Sequence, residues 1–313
     1  MENTTMENTR TKTTRNSLIL LLTAAIWGMA FVSQSKGMDY MHPFTFNGVR
    51  SLIGAASILV YILISRKIAG DKAAPLDWKL NVKAGLLCGI FLTIASTLQQ
   101  FGIKYTSVGK AGFITTLYII FVPMFGIFLK KKVAPVVWAG AVMAAVGMYL
   151  LCMTESLRLG AGDIMVFLCA IAFAIQIMTV DHYAARIDGA VVSCIQFTVC
   201  GVVCCIGALI WGQPTFGQLQ EGLGALLYAG VLSCGVGYTL QIVGQKGLNP
   251  TVGALIMSLE SVIATISGWI AYKIGFLSTD QTLTPRQIAG CVIVFAAVIL
   301  VQLPPEWFRF GKK

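Results

Sequence analysis

The sequence predicts an all-α membrane protein of ten transmembrane helices, built as two inverted five-helix repeats with both termini in the cytoplasm. Three observations carry this prediction: an apolar composition, ten separated apolar runs, and a self-match at a nearly constant shift. Hydrophobic residues make up 57% of the 313 residues and charged residues 12%, against about a quarter charged in a soluble domain. So few charges cannot cover a water-facing globule, and the mean hydropathy of +0.79 places most of the chain in lipid.

A bilayer core about 30 Å thick takes roughly 20 apolar residues per helix. Residues 1–16 are polar and are expected to form a disordered cytoplasmic tail. The run 17–36 follows basic residues, yet it is long, holds Trp27 and lacks a small-residue cleavage site. It therefore reads as a first helix and not as a cleaved leader. Further runs lie at 43–65, 80–101, 109–129 and 134–152, closing a first repeat over 17–152. The second repeat, 161–303, holds runs at 161–180, 189–211, 222–244, 250–274 and 285–303, and 304–313 is a second cytoplasmic tail. Helices are required because an open strand edge in hydrocarbon leaves backbone groups unpaired. The short alternating segments of a transmembrane barrel are missing.

Orientation follows from the loops. With the N-terminus inside, the cytoplasmic loops and tails carry sixteen Lys and Arg residues; the outer side carries six, namely Lys36, Lys104, Lys110, Arg158, Lys273 and Arg286. Basic loops stay inside. The same distribution disposes of the net charge of +10 as a nucleic-acid signal, because the charges sit in short loops and form no basic face. The nine cysteines fall in or beside apolar runs without CxxC spacing, and read as small packing residues. No HExxH, GxSxG, Walker A or paired-carboxylate pattern occurs. No catalytic residue, metal or cofactor is expected, and nothing in the chain drives a primary pump.

Shifting the chain by 142 positions lays Thr97-Leu98-Gln99 on Thr239-Leu240-Gln241, Gly102 on Gly244, Leu117 on Leu259 and Gly126 on Gly268. After eight extra residues the shift becomes 150, and Pro135 meets Pro285. For the first two helices of each repeat a shift of 146 sets Trp27 on Phe173 and Arg50 on Gln196. An odd number of helices per copy inverts the second copy in the membrane. Inverted repeats are an architecture of secondary transporters, with the substrate near the midplane between the copies.

The residues AIWGMAFV (25–32), HPFTFNGVR (42–50), YTSVGKAGFITTLYIIFVP (105–123), NPTVGALIMSLESV (249–262) and GWIAY (268–272) together resemble the EamA family of the drug/metabolite transporter superfamily, over about 17–303. Two departures from that pattern are Lys131 and Lys273, where a Glu usually follows the fourth and ninth helices, and Ser261 in place of a common Pro. The resemblance implies alternating access around a cavity lined by helices one, three, four, six, eight and nine. It also implies export of amino acids or related metabolites across a bacterial inner membrane. A non-transporting scaffold and an intramembrane enzyme are the alternatives from other classes. The partners expected are a small-molecule substrate, the lipid bilayer and a coupling proton, with no nucleic acid; the oligomeric state stays open.

Glu260 is the one acidic residue well inside an apolar run, about 15 Å into its helix. A charge at that depth needs a cavity, a partner or a proton, which makes Glu260 a candidate for substrate-amine binding or proton coupling. Tyr118, its repeat-mate, offers a ring and a hydroxyl that needs a partner when buried. Gln99 and Gln241 are mates toward opposite faces, suited to gating or substrate hydrogen bonds. Trp27 lies at mid-depth, away from the interfacial belt where Trp normally sits, and Gln176 lies about one turn beyond its mate Phe173. These six are the expected substrate-binding residues. Arg50, inside the second helix, is a candidate charge anchor.

Overall fold

The computed structural model describes residues 2–70, 75–106, 108–129, 133–152, 160–277 and 281–302; these form helices joined by turns and short irregular links, with no strand among them. Ten long helices form: α1 (Glu2–Gly37), α2 (Pro43–Ala69), α3 (Trp78–Tyr105), α4 (Val108–Phe128) and α5 (Pro135–Cys152) in the first repeat. The second repeat supplies α6 (Ala161–Tyr183), α7 (Gly189–Gly212), α8 (Leu223–Gln245), α9 (Pro250–Lys273) and α10 (Pro285–Gln302). Counting α1 from Thr13, eight of them offer 21 to 28 residues of membrane-crossing length and composition. Helices α5 and α10, at 18 residues each, reach about 27 Å, close to the thickness of the hydrocarbon core. The tail 304–313 lies outside the described residues, as does Lys131.

Two boundaries differ from the sequence reading. Residues 2–16 continue α1 as helix where a disordered tail is expected. Once the apolar part has nucleated the helix, each added residue costs little, and no Gly or Pro interrupts the chain before Gly28. The second difference is in α8, where Tyr228–Gly237 forms a π-helix between α-helical ends. That stretch is rich in glycine. A Cβ at Gly230 would stand 2.7 Å from Ile53 Cγ2 and 2.9 Å from the Arg50 carbonyl, so close approach to α2 excludes side chains there.

Polar loop residues start the helices. His42, Asp77, Asp188 and Asn249 occupy the N-caps of α2, α3, α7 and α9, each accepting from a backbone N–H two or three residues on. Burial, reinforced by the nearby Lys104, holds the His42 imidazole below its ordinary value. The shift favours the neutral ring, whose unprotonated Nδ1 accepts from Phe44 N–H at 3.4 Å.

Packing repeats with the sequence. Helix α3 packs on α6, and its mate α8 packs on α1; α3 packs on α7, and α8 on α2. Helix α1 lies on α9 as α6 lies on α4, while α2 pairs with α7 and α5 with α10, mate against mate. Each contact therefore occurs twice or maps onto itself, as a two-fold axis in the membrane plane requires.

Candidate functional site

Two repeat-mate helices are both interrupted, at matching residues. Helix α4 divides into Val108–Thr116 and Tyr118–Phe128, and α9 into Pro250–Met257 and Glu260–Lys273. The hinge residues Leu117 (φ −57°, ψ −10°) and Leu259 (φ −60°, ψ −13°) are repeat-mates with nearly the same backbone. Both make tightened i to i−3 bonds, Leu117 N–H to the Ile114 carbonyl at 3.2 Å and Leu259 N–H to Ile256 at 3.3 Å. Hydroxyls compete for the carbonyls around each break: Thr116 donates to Phe113, Ser258 to Leu255 and Ser261 to Ser258. Pro123 in α4 further removes one backbone donor.

Each hinge aims the next side chain at the axis. Tyr118 and Glu260, 2% and 4% exposed, meet there, and the Tyr118 hydroxyl donates to Glu260 Oε1 at 3.0 Å. The matched positions read from the repeat are thus in direct contact.

Around this pair lies a narrow central cavity of about 30 Å³. Its wall contains Trp27, Gln99, Tyr118, Gln176, Gln241, Glu260 and Arg50, so all seven sequence candidates converge on one space. Six repeat-mate pairs line it: Trp27 with Phe173, Phe31 with Ile177, Leu92 with Cys234, Ser96 with Tyr238, Gln99 with Gln241, and Tyr118 with Glu260. The cavity therefore lies on the axis relating the repeats.

The polar groups are held by specific partners. Gln241 Nε2 donates to Gln176 Oε1 at 3.3 Å, and Gln176 Nε2 to Gln196 Oε1 at 3.4 Å. Gln99 and Gln241 do not share a partner, because Gln99 instead donates to Thr115 Oγ1 at 3.2 Å. Among the described residues the cavity-lining acceptors Gln34 Oε1 and Gln241 Oε1 have no protein partner. Arg50, 5% exposed, donates through Nε to Asn47 Oδ1 at 3.0 Å and lies over the Phe46 ring, 5.5 Å from its centroid. Asn47 is fixed in turn by Ser96 Oγ at 3.1 Å and Cys204 Sγ at 3.2 Å. No carboxylate pairs with Arg50 among the described residues.

An aromatic wall completes the site. Trp27 and Tyr238 lie with ring centroids 4.5 Å apart, and Tyr238 meets Phe197 edge-on at 4.9 Å. Trp27 Nε1 donates to the Ser233 carbonyl at 3.4 Å, inside the π-helical stretch of α8 whose wider turn shifts the carbonyls off their α-helical partners. A Cβ at Gly237 would fall 2.6 Å from that indole nitrogen.

A matched close contact recurs in the two repeats. A Cβ on Gly102 in α3 would strike Val166 Cγ2 and lie 2.9 Å from the Gly162 carbonyl of α6. A Cβ on its mate Gly244 in α8 would stand 2.7 Å from Leu20 Cδ2 and 3.2 Å from the Asn16 carbonyl of α1. Val166 and Gly162 are themselves the mates of Leu20 and Asn16 at the shift of 146. Polar ties reinforce each end differently. At the Gly102 end Lys110 Nζ meets Asp163 Oδ2 at 2.6 Å; at the Gly244 end Asn16 Nδ2 donates to the Lys246 carbonyl at 2.7 Å.

Sequence reasoning misses Tyr238, Gln34, Asn47 and the Gln196 link. Tyr238 could have been found, because it immediately precedes the matched Thr-Leu-Gln triplet and aligns with Ser96. Gln34 aligns with Val180, so the repeat offers no signal for it.

Comparison with known proteins bears on the same geometry. The sequence profile of the EamA-like transporter family matches residues 15–153 and 160–303, once over each five-helix unit. An uncharacterized transporter from Archaeoglobus fulgidus is 27% identical over 290 residues, covering 91% of this chain and 84% of the relative. The uncharacterized transporter YwfM of Bacillus subtilis is 24% identical over 93% of this chain and 94% of its own. A crystal structure superimposes with a TM-score of 0.73 over 95% of this chain and 99% of the other at 16% identity, a likeness of fold.

Proposed function

Because the chain belongs to the EamA-like transporter family, and is thus a multi-pass membrane transporter, we propose that it carries a small zwitterionic metabolite, an amino acid or a related compound, by alternating access. The observation that carries this reading is one buried cation and one buried carboxylate on the wall of one cavity, Arg50 from the first repeat and Glu260 from the second. An isolated charge inside a membrane costs several kcal/mol, and neither of these groups is paired with a charge of opposite sign among the described residues. A solute carrying a carboxylate and an ammonium complements both. The carboxylate is taken by the Arg50 guanidinium, which can bind it with two parallel hydrogen bonds. The ammonium is taken by Glu260, and Trp27, Tyr118 and Tyr238 supply ring faces for the remainder.

The central space is nearly shut: about 30 Å³ gives room for a water or two, which fits an occluded state, and a cargo enters only as the repeats move apart. The glycine contacts at Gly102 and Gly244 are the two closures, and transport requires one to open while the other holds. Export across a bacterial inner membrane, with both termini cytoplasmic, is the direction proposed. Glu260 is also proposed to couple the cycle to protons: with the cavity empty it takes up a proton, and an arriving ammonium displaces it.

The reading is tested by flux into proteoliposomes with a panel of amino acids, their decarboxylated amines and their deaminated acids. Zwitterions are expected to move and to compete with one another. Correctly folded protein that moves no amino acid, or that moves amines and zwitterions alike, overturns the proposed cargo. For coupling, Glu260→Gln is expected to lose flux driven by a pH gradient while retaining residual binding. An unchanged response to the gradient removes that role.

A further inference from the structure

A second cavity, about 610 Å³, shares no lining residue with the central one. It opens at the end of the bundle where the basic residues concentrate, between the end of α2, the start of α3, the turn joining α6 to α7, and the last turns of α8. Three cations line it, Arg66 from the first repeat and Arg186 and Lys246 from the second. Its two carboxylates are engaged by backbone. Asp77 Oδ1 accepts from Leu80 N–H at 3.0 Å, and Asp188 Oδ1 accepts from Ala190 and Val191 N–H at 2.9 and 3.1 Å. Among the described residues the lining thus carries three cations and two carboxylates, both carboxylates serving as helix caps. The membrane-facing wall is apolar, formed by Tyr61, Ile62 and Val243, and Tyr61 is 59% exposed beside the outward Leu63 and Ile64.

A cationic recess at headgroup depth above an apolar groove has the shape of a lipid. We propose that this cavity binds an anionic phospholipid of the cytoplasmic leaflet, its phosphate between Arg66 and Arg186 and an acyl chain along Tyr61, Ile62 and Val243. A soluble phosphate would find the same cations without using the groove. The lipid bridges the two repeats where they already touch through Asp188 N–H to Asn81 Oδ1 at 2.9 Å. It shares that junction with Lys246 Nζ, which donates to the Ile187 carbonyl at 3.2 Å. A bound headgroup therefore stabilises the closed arrangement of this end without touching the central site.

The test uses the full-length protein in nanodiscs of phosphatidylcholine alone and of phosphatidylcholine with phosphatidylglycerol, read by thermal unfolding and by retained lipid in native mass spectrometry. Phosphatidylglycerol is expected to raise the unfolding temperature and to remain bound. Arg66→Gln and Arg186→Gln should each weaken retention about fivefold, and the pair roughly 25-fold. Arg66→Lys and Arg186→Lys should restore most of it, which separates lost charge from misfolding. Lys83→Gln, on the same side but outside the cavity, should retain lipid as the wild type does. Retention unaltered in the double Gln variant overturns the site, and so does equal loss in Lys83→Gln, which would mean diffuse surface attraction. Inorganic phosphate stabilising the protein in pure phosphatidylcholine as well as phosphatidylglycerol does would replace the lipid with a soluble anion and overturn the assignment.

Discussion

In the first repeat α4 turns at Leu117 and presents Tyr118; in the second, α9 turns at Leu259 with the same backbone angles and presents Glu260. The hinge and the glycine contact each occur twice, and six repeat-mate pairs line the cavity. The charged groups are not. Arg50 has Gln196 as its mate and Glu260 has Tyr118, so the positive group comes from one copy and the negative group from the other. Symmetry sets matching contacts on both sides of the cavity, and on the proposed cycle either side opens in turn. Asymmetry gives that cavity a charged polarity, which a symmetric site cannot have and which a zwitterion can recognise in one orientation.

Removing the asymmetry tests its role. Glu260→Gln leaves shape and a hydrogen-bond acceptor for Tyr118 but removes the negative charge, and zwitterion affinity is expected to fall roughly 100-fold. Isothermal titration on the detergent-purified protein measures this. Arg50→Gln makes the first repeat match the second, and should weaken carboxylate-bearing solutes about 20-fold while leaving simple amines unaffected. Equal losses for both classes would mean that Arg50 acts only by holding Asn47 and the α2–α3–α7 junction.

The shared half of the comparison can be broken at the closures. Gly102→Leu and Gly244→Leu overfill matching contacts, a strain of about 1–3 kcal/mol. Each should shift side-dependent cysteine labelling of the cavity about tenfold, in opposite directions. Labelling that moves to the same side in both variants would refute two matched gates. The smallest effect is expected from Tyr118→Phe, which removes one hydroxyl donor to Glu260 and should change affinity about threefold.

Much of this was legible without coordinates, for a physical reason. Lipid leaves no water for an unpaired backbone, so apolar length alone locates ten helices, and a repeat that survives in polar residues locates their axis. Tyr118 and Glu260 were matched by counting and are found in contact. The breaks at Leu117 and Leu259 were not visible, because neither hinge holds Gly or Pro; both arise from competing Ser and Thr hydroxyls and tightened turns. The π-helix in α8 was equally silent, since the glycines that permit it answer to residues on α2 far away in sequence. The repeat identifies Gln196 only as the mate of Arg50, and its bond to Gln176 depends on how α6 and α7 rotate, which a single sequence does not encode locally. How each candidate acts on a solute is a matter for binding and flux.

The most direct measurement is equilibrium binding of an amino acid, its amine and its deaminated acid to the wild type, Arg50→Gln, Glu260→Gln and the double variant. The wild type should prefer the zwitterion over both analogues. Arg50→Gln should erase its advantage over the amine, Glu260→Gln its advantage over the acid, and the double variant both. A wild type that binds all three alike, or single variants that keep the full preference, would contradict a cavity polarised between Arg50 and Glu260.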